Sequence, residues 1–229
     1  MAQFTLYTHK GGPNPWKAAM CLKELGLTYE SVYLDFQKNE QKNPQHLKLN
    51  PNGRVPTLVD HLNNDYTIWE SDAVLLYLTD RYDKQRAISL PHDHPDYHHE
   101  LQYLFFQSSG QGVIWGQANW FNIYHPVPVP SAVTRYRNEL KRVLGVLETI
   151  LQDKPYLLGD KFTIADLSFV TWNNLLSMIF GKGKYEWDDQ VPQLDFQKEF
   201  PKTYDWNHRI NQRQAIAKTN EEKAKIGGH

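Results

Sequence analysis

Cysteine is the scarcest resource in this chain, with one residue in 229. A lone Cys21 rules out an intramolecular disulfide and argues against a cysteine-based metal centre. It falls in the apolar stretch Ala18 to Leu22 and reads as a small core residue. Charge of one sign is also missing: Lys and Arg total 25 against 26 for Asp and Glu, a formal net charge of −1. The basic residues are scattered, which argues against a nucleic-acid partner. No apolar run approaches the roughly 20 residues that a membrane span needs. Met1 to Lys10 has no basic segment ahead of an apolar one, so no signal peptide is expected, and a reducing cytosolic location follows as the expectation. No cofactor or metal is implied.

Aromatic residues are abundant instead, at 13%, with 7 Trp and 13 Tyr. Many gather in the second half, among them Trp115, Trp120, Phe121, Tyr124 and Trp172. Such residues fill cores and interfaces, and a dense group also lines pockets for flat apolar ligands.

The chain changes character near residue 83. Before it, strand and helix patterns alternate: strand at Phe4–Tyr7, helix at 15–25, strand at 29–34, short helix at 43–49, strands at 55–59 and 67–69, helix at 71–82. This βαβ-α-ββα order predicts a small mixed sheet with helices on its faces. Residues 84–95 are polar, carry Pro91 and Pro95, and read as a linker between a domain at 1–83 and an all-helical domain at 96–229. In the latter, helices are expected at 99–124, bent at Gly110, Gly112 and Gly116, then at 131–152, 163–180, 201–212 and 214–225. Residues 181–200 read as a surface excursion or flap. Thr163 with Asp166 three residues on forms a capping box, a folding signal with no functional content.

Three segments could carry chemistry. In Gly11-Gly12-Pro13-Asn14-Pro15, Asn14 is placed to cap a helix with Pro15 at its first position. That is either a plain cap or an anion site, at which the Asn14 amide and the helix terminus would favour a thiolate. In Asn50-Pro51-Asn52-Gly53-Arg54-Val55-Pro56, the Val55–Pro56 bond is either trans at a strand start or cis. A cis bond would turn the Val55 backbone toward an extended peptide ligand. In Trp69-Glu70-Ser71-Asp72, Ser71 caps the next helix and could hold a carboxylate, with Glu70 beside it for an ammonium group.

The order of these segments, with Thr163-Ile164-Ala165-Asp166-Leu167 after them, resembles the glutathione transferase superfamily over nearly the whole chain. Pro-Asn-x-x-Lys at 13–17, Leu34-Asp35-Phe36, Ile68-Trp69-Glu70-Ser71, Phe106-Gln107-x-Ser-Gly, Gly159-Asp160-Lys161 and Trp172-Asn173-Asn174 look like the fungal class related to the yeast nitrogen-catabolite regulator. Bacterial nu-class enzymes are similar around Asn14. The resemblance implies a thioredoxin-like domain followed by a helical one, usually as a homodimer, with glutathione as substrate rather than cofactor. It places Asn14 beside the sulfur, Val55 and Pro56 on the cysteinyl backbone with Arg54 supporting the loop, Gln41 near the glycyl end, and Glu70 and Ser71 on the γ-glutamyl charges. Pro15 departs from the Asn-Gly usual in the class. Tyr7, Thr8 and His9 are competing thiol activators ranked below Asn14, and the absence of Cys from this loop argues against a mixed disulfide with the enzyme.

The expectation is therefore a glutathione transferase that delivers a thiolate to hydrophobic electrophiles, peroxides or disulfides. A weakly defined hydrophobic site at Trp115, Trp120, Phe121 and Tyr124 would take the second substrate. The alternative is a non-catalytic glutathione-binding regulator or ligand carrier on the same fold.

Overall fold

The computed structural model describes residues 2–181, 185 and 191–227, and the chain forms two compact units, one of residues 1–92 with 211–229 and one of residues 93–210. The first unit follows the expected order: β1 (Phe4–Thr8), α1 (Pro13–Glu24), β2 (Tyr29–Tyr33), α2 (Pro44–Leu49), β3 (Thr57–Asp60), β4 (Tyr66–Trp69) and α3 (Ser71–Tyr82). The sheet order is β2-β1-β3-β4. β1 runs parallel to β2 and antiparallel to β3, and β3 runs antiparallel to β4. Alternation in β1 sends Phe4, Leu6 and Thr8 inward, while β3, paired on both edges, is buried along its whole length. The 71–82 helix spans the expected residues, but residues 84–90 are not a loose linker. The buried Asp83 carboxylate accepts from Ala87 N at 2.7 Å, Ile88 N at 2.9 Å and Ser89 Oγ at 2.8 Å, and Ile88 and Leu90 are buried.

The last helix, α11 (Gln214–Lys225), also belongs to this unit rather than to the helical one. It packs on α1, where Arg213 holds Glu24 through two bonds of 2.8 Å and Lys23 pairs with Glu222.

The second unit is helical among its described residues: α4 (Tyr97–Phe106), α5 (Val113–Asn119), α6 (Pro130–Ile150), α7 (Ile164–Asn173), α8 (Leu176–Ile179), α9 (Phe196–Glu199) and α10 (Pro201–Asn211). The helix expected at 99–124 is a continuous helical run from Tyr97 to Tyr124 with π-helical turns at Gln107–Gly112 and Trp120–Tyr124. At Gly110 a Cβ would lie 3.0 Å from the Phe106 ring, so the glycine serves close approach. The capping box at Thr163 is present, and Asp166 also accepts from Leu157 N at 2.9 Å and Trp206 Nε1 at 2.8 Å. The expected 163–180 helix divides after Asn173. Of the 181–200 excursion, residues 182–184 and 186–190 lie outside the described residues, and α9 lies within the rest.

Candidate functional site

Register decides where the three segments meet. Val32, Tyr7, Thr57 and Trp69 form one row across the four strands. β1, β2 and β4 run the same way and leave the sheet just past this row, while β3 enters there from the opposite direction. The chain after β1, the 34–43 segment after β2, the 50–56 loop before β3 and the turn after β4 are therefore all at one end of the sheet. That end collects Asn14, Gln41, Arg54, Val55, Pro56, Glu70 and Ser71.

At the first of these segments, Gly12 is the N-cap (φ −73°, ψ 128°) and Pro13 the first helical residue, so Asn14 sits two residues later than expected, inside the first turn of α1. The reason is that either proline suits a first helical position, and Gly12 supplies the extended cap. The N-cap and the first three residues of a helix carry the N–H groups that have no intrahelical acceptor. Two of those four are prolines here, so the backbone donors are those of Gly12 and Asn14, to which Asn14 adds a side-chain amide. The loop before them is tied down by Trp16 Nε1 to Lys10 O at 2.9 Å and Gly11 N to His9 Nδ1 at 3.2 Å. The His9 ring stacks on Phe36 at 4.3 Å. Burial holds the His9 pKa below the usual histidine value, with Lys10 adding to the effect against Asp35. The Tyr7 ring lies 5.3 Å from that of His46.

The second segment is built around Asn50. Its buried side chain donates to Arg54 O at 3.0 Å and Thr57 Oγ1 at 2.9 Å, and accepts from Asn52 N at 3.0 Å. His46 Nε2 approaches the same Arg54 carbonyl at 3.1 Å. Gly53 has φ +59°, and a Cβ there would lie 2.8 Å from the Lys42 side chain and 2.9 Å from Gln41 O, so only glycine fits. The Val55–Pro56 bond is cis, and within the described residues the Val55 amide and carbonyl make no backbone pair. The Arg54 side chain is exposed, and Gln41 is half-buried with Oε1 lacking a hydrogen-bond partner among the described residues.

At the third segment Glu70, not Ser71, is the N-cap, and it stands at φ +67°, ψ 114°. A positive φ at a residue with a Cβ costs on the order of 1–3 kcal/mol and is tolerated where the surroundings impose it. Asn52 Nδ2 reaches Glu70 Oε1 at 3.4 Å, joining the second and third segments. Ser71 is buried at the first position of α3.

Two side chains beneath this edge were quoted in sequence motifs but given no role there. Lys17 of α1 and Asp72 of α3 form an ion pair of 2.8 Å and are only 1% and 9% exposed. The available signal was a single charge inside the apolar run Pro15 to Leu22. Asn50 was noted only as part of a turn.

The four aromatic residues of the expected hydrophobic site do not form one cluster. Trp115 is wholly buried in the core with Leu144 and Trp172, and its Nε1 has no hydrogen-bond partner among the described residues. Trp120 and Tyr124 are 48% and 61% exposed, with rings 6.1 Å apart. Phe121 stacks on Tyr136 of α6 at 5.7 Å. Among the described residues no group of His, Cys, Asp or Glu could hold a metal ion, and no helix is long and apolar enough to cross a membrane.

Comparison with known proteins agrees with this architecture. Residues 2–80 match the model of the glutathione S-transferase N-terminal domain and residues 128–214 that of the C-terminal domain. The chain is 65% identical to glutathione S-transferase 1 of Schizosaccharomyces pombe, covering 98% of both chains. Among solved structures it is similar to the glutathione transferase URE2P6 of Phanerochaete chrysosporium in complex with oxidized glutathione, with 53% identity, a TM-score of 0.91 and 98% of each chain covered. Ure2p5 of the same organism, cocrystallized with 1-(S-glutathionyl)-2,4-dinitrobenzene, matches at 42% identity and a TM-score of 0.85, covering 99% of this chain and 96% of that one. With both domains matched and a relative this similar over nearly its full length, the chain belongs to the glutathione S-transferase family of enzymes.

Proposed function

We propose that the chain binds glutathione at the sheet end described above, favours its thiolate through Asn14, and delivers that thiolate to a hydrophobic electrophile, a peroxide or a disulfide. The observation that carries this reading is the convergence of Asn14, the Val55 backbone and the Glu70–Ser71 turn at one edge of the sheet. A γ-glutamyl carboxylate suits the N-terminus of α3 at Ser71, where backbone and hydroxyl donors meet the positive end of the helix dipole. Its ammonium group suits Glu70. The cysteinyl amide and carbonyl pair with those of Val55, as an extended peptide pairs with an open backbone, and Gln41 takes the glycyl end.

The energetics are sufficient. Lowering a thiol pKa by about two units requires roughly 2.7 kcal/mol. A hydrogen bond from Asn14 to a charged sulfur contributes about 1.5–3 kcal/mol, and a helix terminus adds roughly 0.3–1 kcal/mol. In conjugation to an aryl halide, the thiolate lone pair forms the carbon–sulfur bond and the halide departs with the electron pair of the bond it leaves. With a peroxide the thiolate attacks one oxygen and a second glutathione completes the disulfide, so two thiols are oxidised per O–O bond reduced. Trp120 and Tyr124 are the rings on the helical unit proposed to meet an apolar second substrate. A cytosolic homodimer is the setting implied by the family resemblance.

Turnover measured with aryl halides, isothiocyanates, hydroperoxides and hydroxyethyl disulfide tests the proposal and ranks its three chemistries. Turnover of at least one class, lost in Asn14→Ala, is expected. Tight glutathione binding with no turnover of any class would return the protein to a regulator or ligand carrier.

A further inference from the structure

Stability alone is a weak reason for the buried Lys17–Asp72 pair. Two charges removed from water lose hydration that their mutual attraction rarely restores in full, and well-packed apolar residues of similar size are often as stable or more so. This pair is a poor candidate for an exception, because Asp72 Oδ2 is buried without a hydrogen-bond partner among the described residues. Burial pushes the Lys17 pKa down and the Asp72 pKa up, while each is drawn back by the charge of the other. What the pair supplies and apolar packing does not is a directional bond of fixed length, 2.8 Å, between two particular points.

Those points are specific. Lys17 follows Asn14 by three residues on α1, one turn along the same face. Asp72 follows Ser71 directly on α3. The bond therefore ties the turn that carries the proposed thiol donor to the turn that carries the proposed γ-glutamyl receptor. The two helices start on strands that are not neighbours, since β3 lies between β1 and β4, so no backbone ladder sets their spacing directly.

We infer that Lys17 and Asp72 are positioning residues whose buried ion pair holds Asn14 in register with Ser71, so that one tripeptide engages both at once. The inference rests on the glutathione site proposed above. A displacement of about 1 Å at a reacting group can cost on the order of a hundredfold in rate, so a link that fixes spacing acts on catalysis more than on peptide affinity.

Asp72→Asn, Lys17→Arg and the apolar double variant Lys17→Met/Asp72→Leu test it. Five quantities are read in each: the thermal midpoint, the affinity for S-methylglutathione (which has no thiol), the pKa of bound glutathione from thiolate absorbance, and kcat and KM with 1-chloro-2,4-dinitrobenzene. The double variant is expected to melt at or above the parent. It should bind S-methylglutathione within about threefold, yet raise the bound thiol pKa by about one unit and lower kcat roughly 10- to 100-fold. Parental thiol pKa and kcat in a double variant of parental stability would overturn the inference, leaving the pair purely structural. Should the double variant not fold, Asp72→Asn and Lys17→Arg decide it, and a parental thiol pKa in both would overturn it equally. Asn14→Ala and Ser71→Ala are measured alongside. If these two change neither affinity nor thiol pKa, the glutathione site itself is wrong; if they do and the pair variants do not, only the pair's positioning role falls.

Discussion

Asn50 and Arg54, four residues apart, are joined by a 3.0 Å hydrogen bond from the Asn50 side-chain amide to the Arg54 carbonyl, which closes the loop that presents Val55. The same amide reaches Thr57 Oγ1 at 2.9 Å, so one buried side chain fixes both the loop and the first residue of β3. Asn50→Ala would leave these groups without their donor, at a cost of about 2–3 kcal/mol in stability. It should also weaken glutathione binding several-fold although Asn50 is not proposed to touch the ligand. Urea unfolding together with calorimetry checks this, and a variant unchanged in both would show that the loop is held by other means.

The second expectation concerns the thiol activator. Since Pro13 and Pro15 remove two backbone donors from the start of α1, the proposed acidifying effect is expected to come mostly from the Asn14 amide. Asn14→Ala should raise the bound thiol pKa by about one to two units. Tyr7→Phe should leave it in place, because the Tyr7 ring lies against His46 beside the 50–57 loop. Ultraviolet titration of the bound thiolate distinguishes them, and the opposite pattern would move the role to Tyr7.

A third expectation follows from the backbone at Glu70. Its φ of +67° is unfavourable for any residue with a Cβ. Glu70→Gly relieves that strain at some entropic cost and should stabilise the fold by about 1 kcal/mol. The same change removes the proposed ammonium partner and should weaken glutathione binding. Chemical denaturation and calorimetry on one sample would read both, and a loss of stability would mean that the Glu70 side chain holds the turn in place.

These cases show what kind of information a sequence carries. The capping box at Thr163 and Asp166 was legible because its partners lie three residues apart. The strand and helix order before residue 83 was legible because period and turn residues are local too. The start of the first helix and the cap of the 71–82 helix were misplaced for an equally local reason: two prolines compete for one helical position, and nothing in Glu70 announces a positive φ. The Lys17–Asp72 pair spans 55 residues, and the docking of α11 on α1 joins opposite ends of the chain. An amphipathic helix states that it has a buried face but not which body covers it. The candidate site was legible as a set of segments, and the register of the four strands is what brings them to one edge.

The last expectation concerns Asp166, which is fully buried and whose pKa burial pushes up to about 6 against the pull of bonds from Leu157 N, Thr163 N and Trp206 Nε1. An unfolded aspartate titrates near 3.9. Between about pH 4 and pH 6 the folded protein therefore holds a proton that the unfolded chain has released. Stability from this residue is fully present below the unfolded pKa, falls as pH rises through that window, and is level above about 6, where both states are ionised. A shift of about two units corresponds to a change on the order of 3 kcal/mol. Asp166→Asn cannot titrate, and its NH2 would face donors where a carboxylate oxygen now accepts, so the variant should be less stable than the parent throughout. Urea unfolding of both proteins from pH 4 to pH 7 separates the two effects. The stability gap between parent and variant should narrow as pH rises from about 4 to 6 and then hold constant. A gap that widens over that range would mean that these hydrogen bonds, with that from Thr163 Oγ1, outweigh burial and that the folded-state pKa of Asp166 lies below 3.9, not above it.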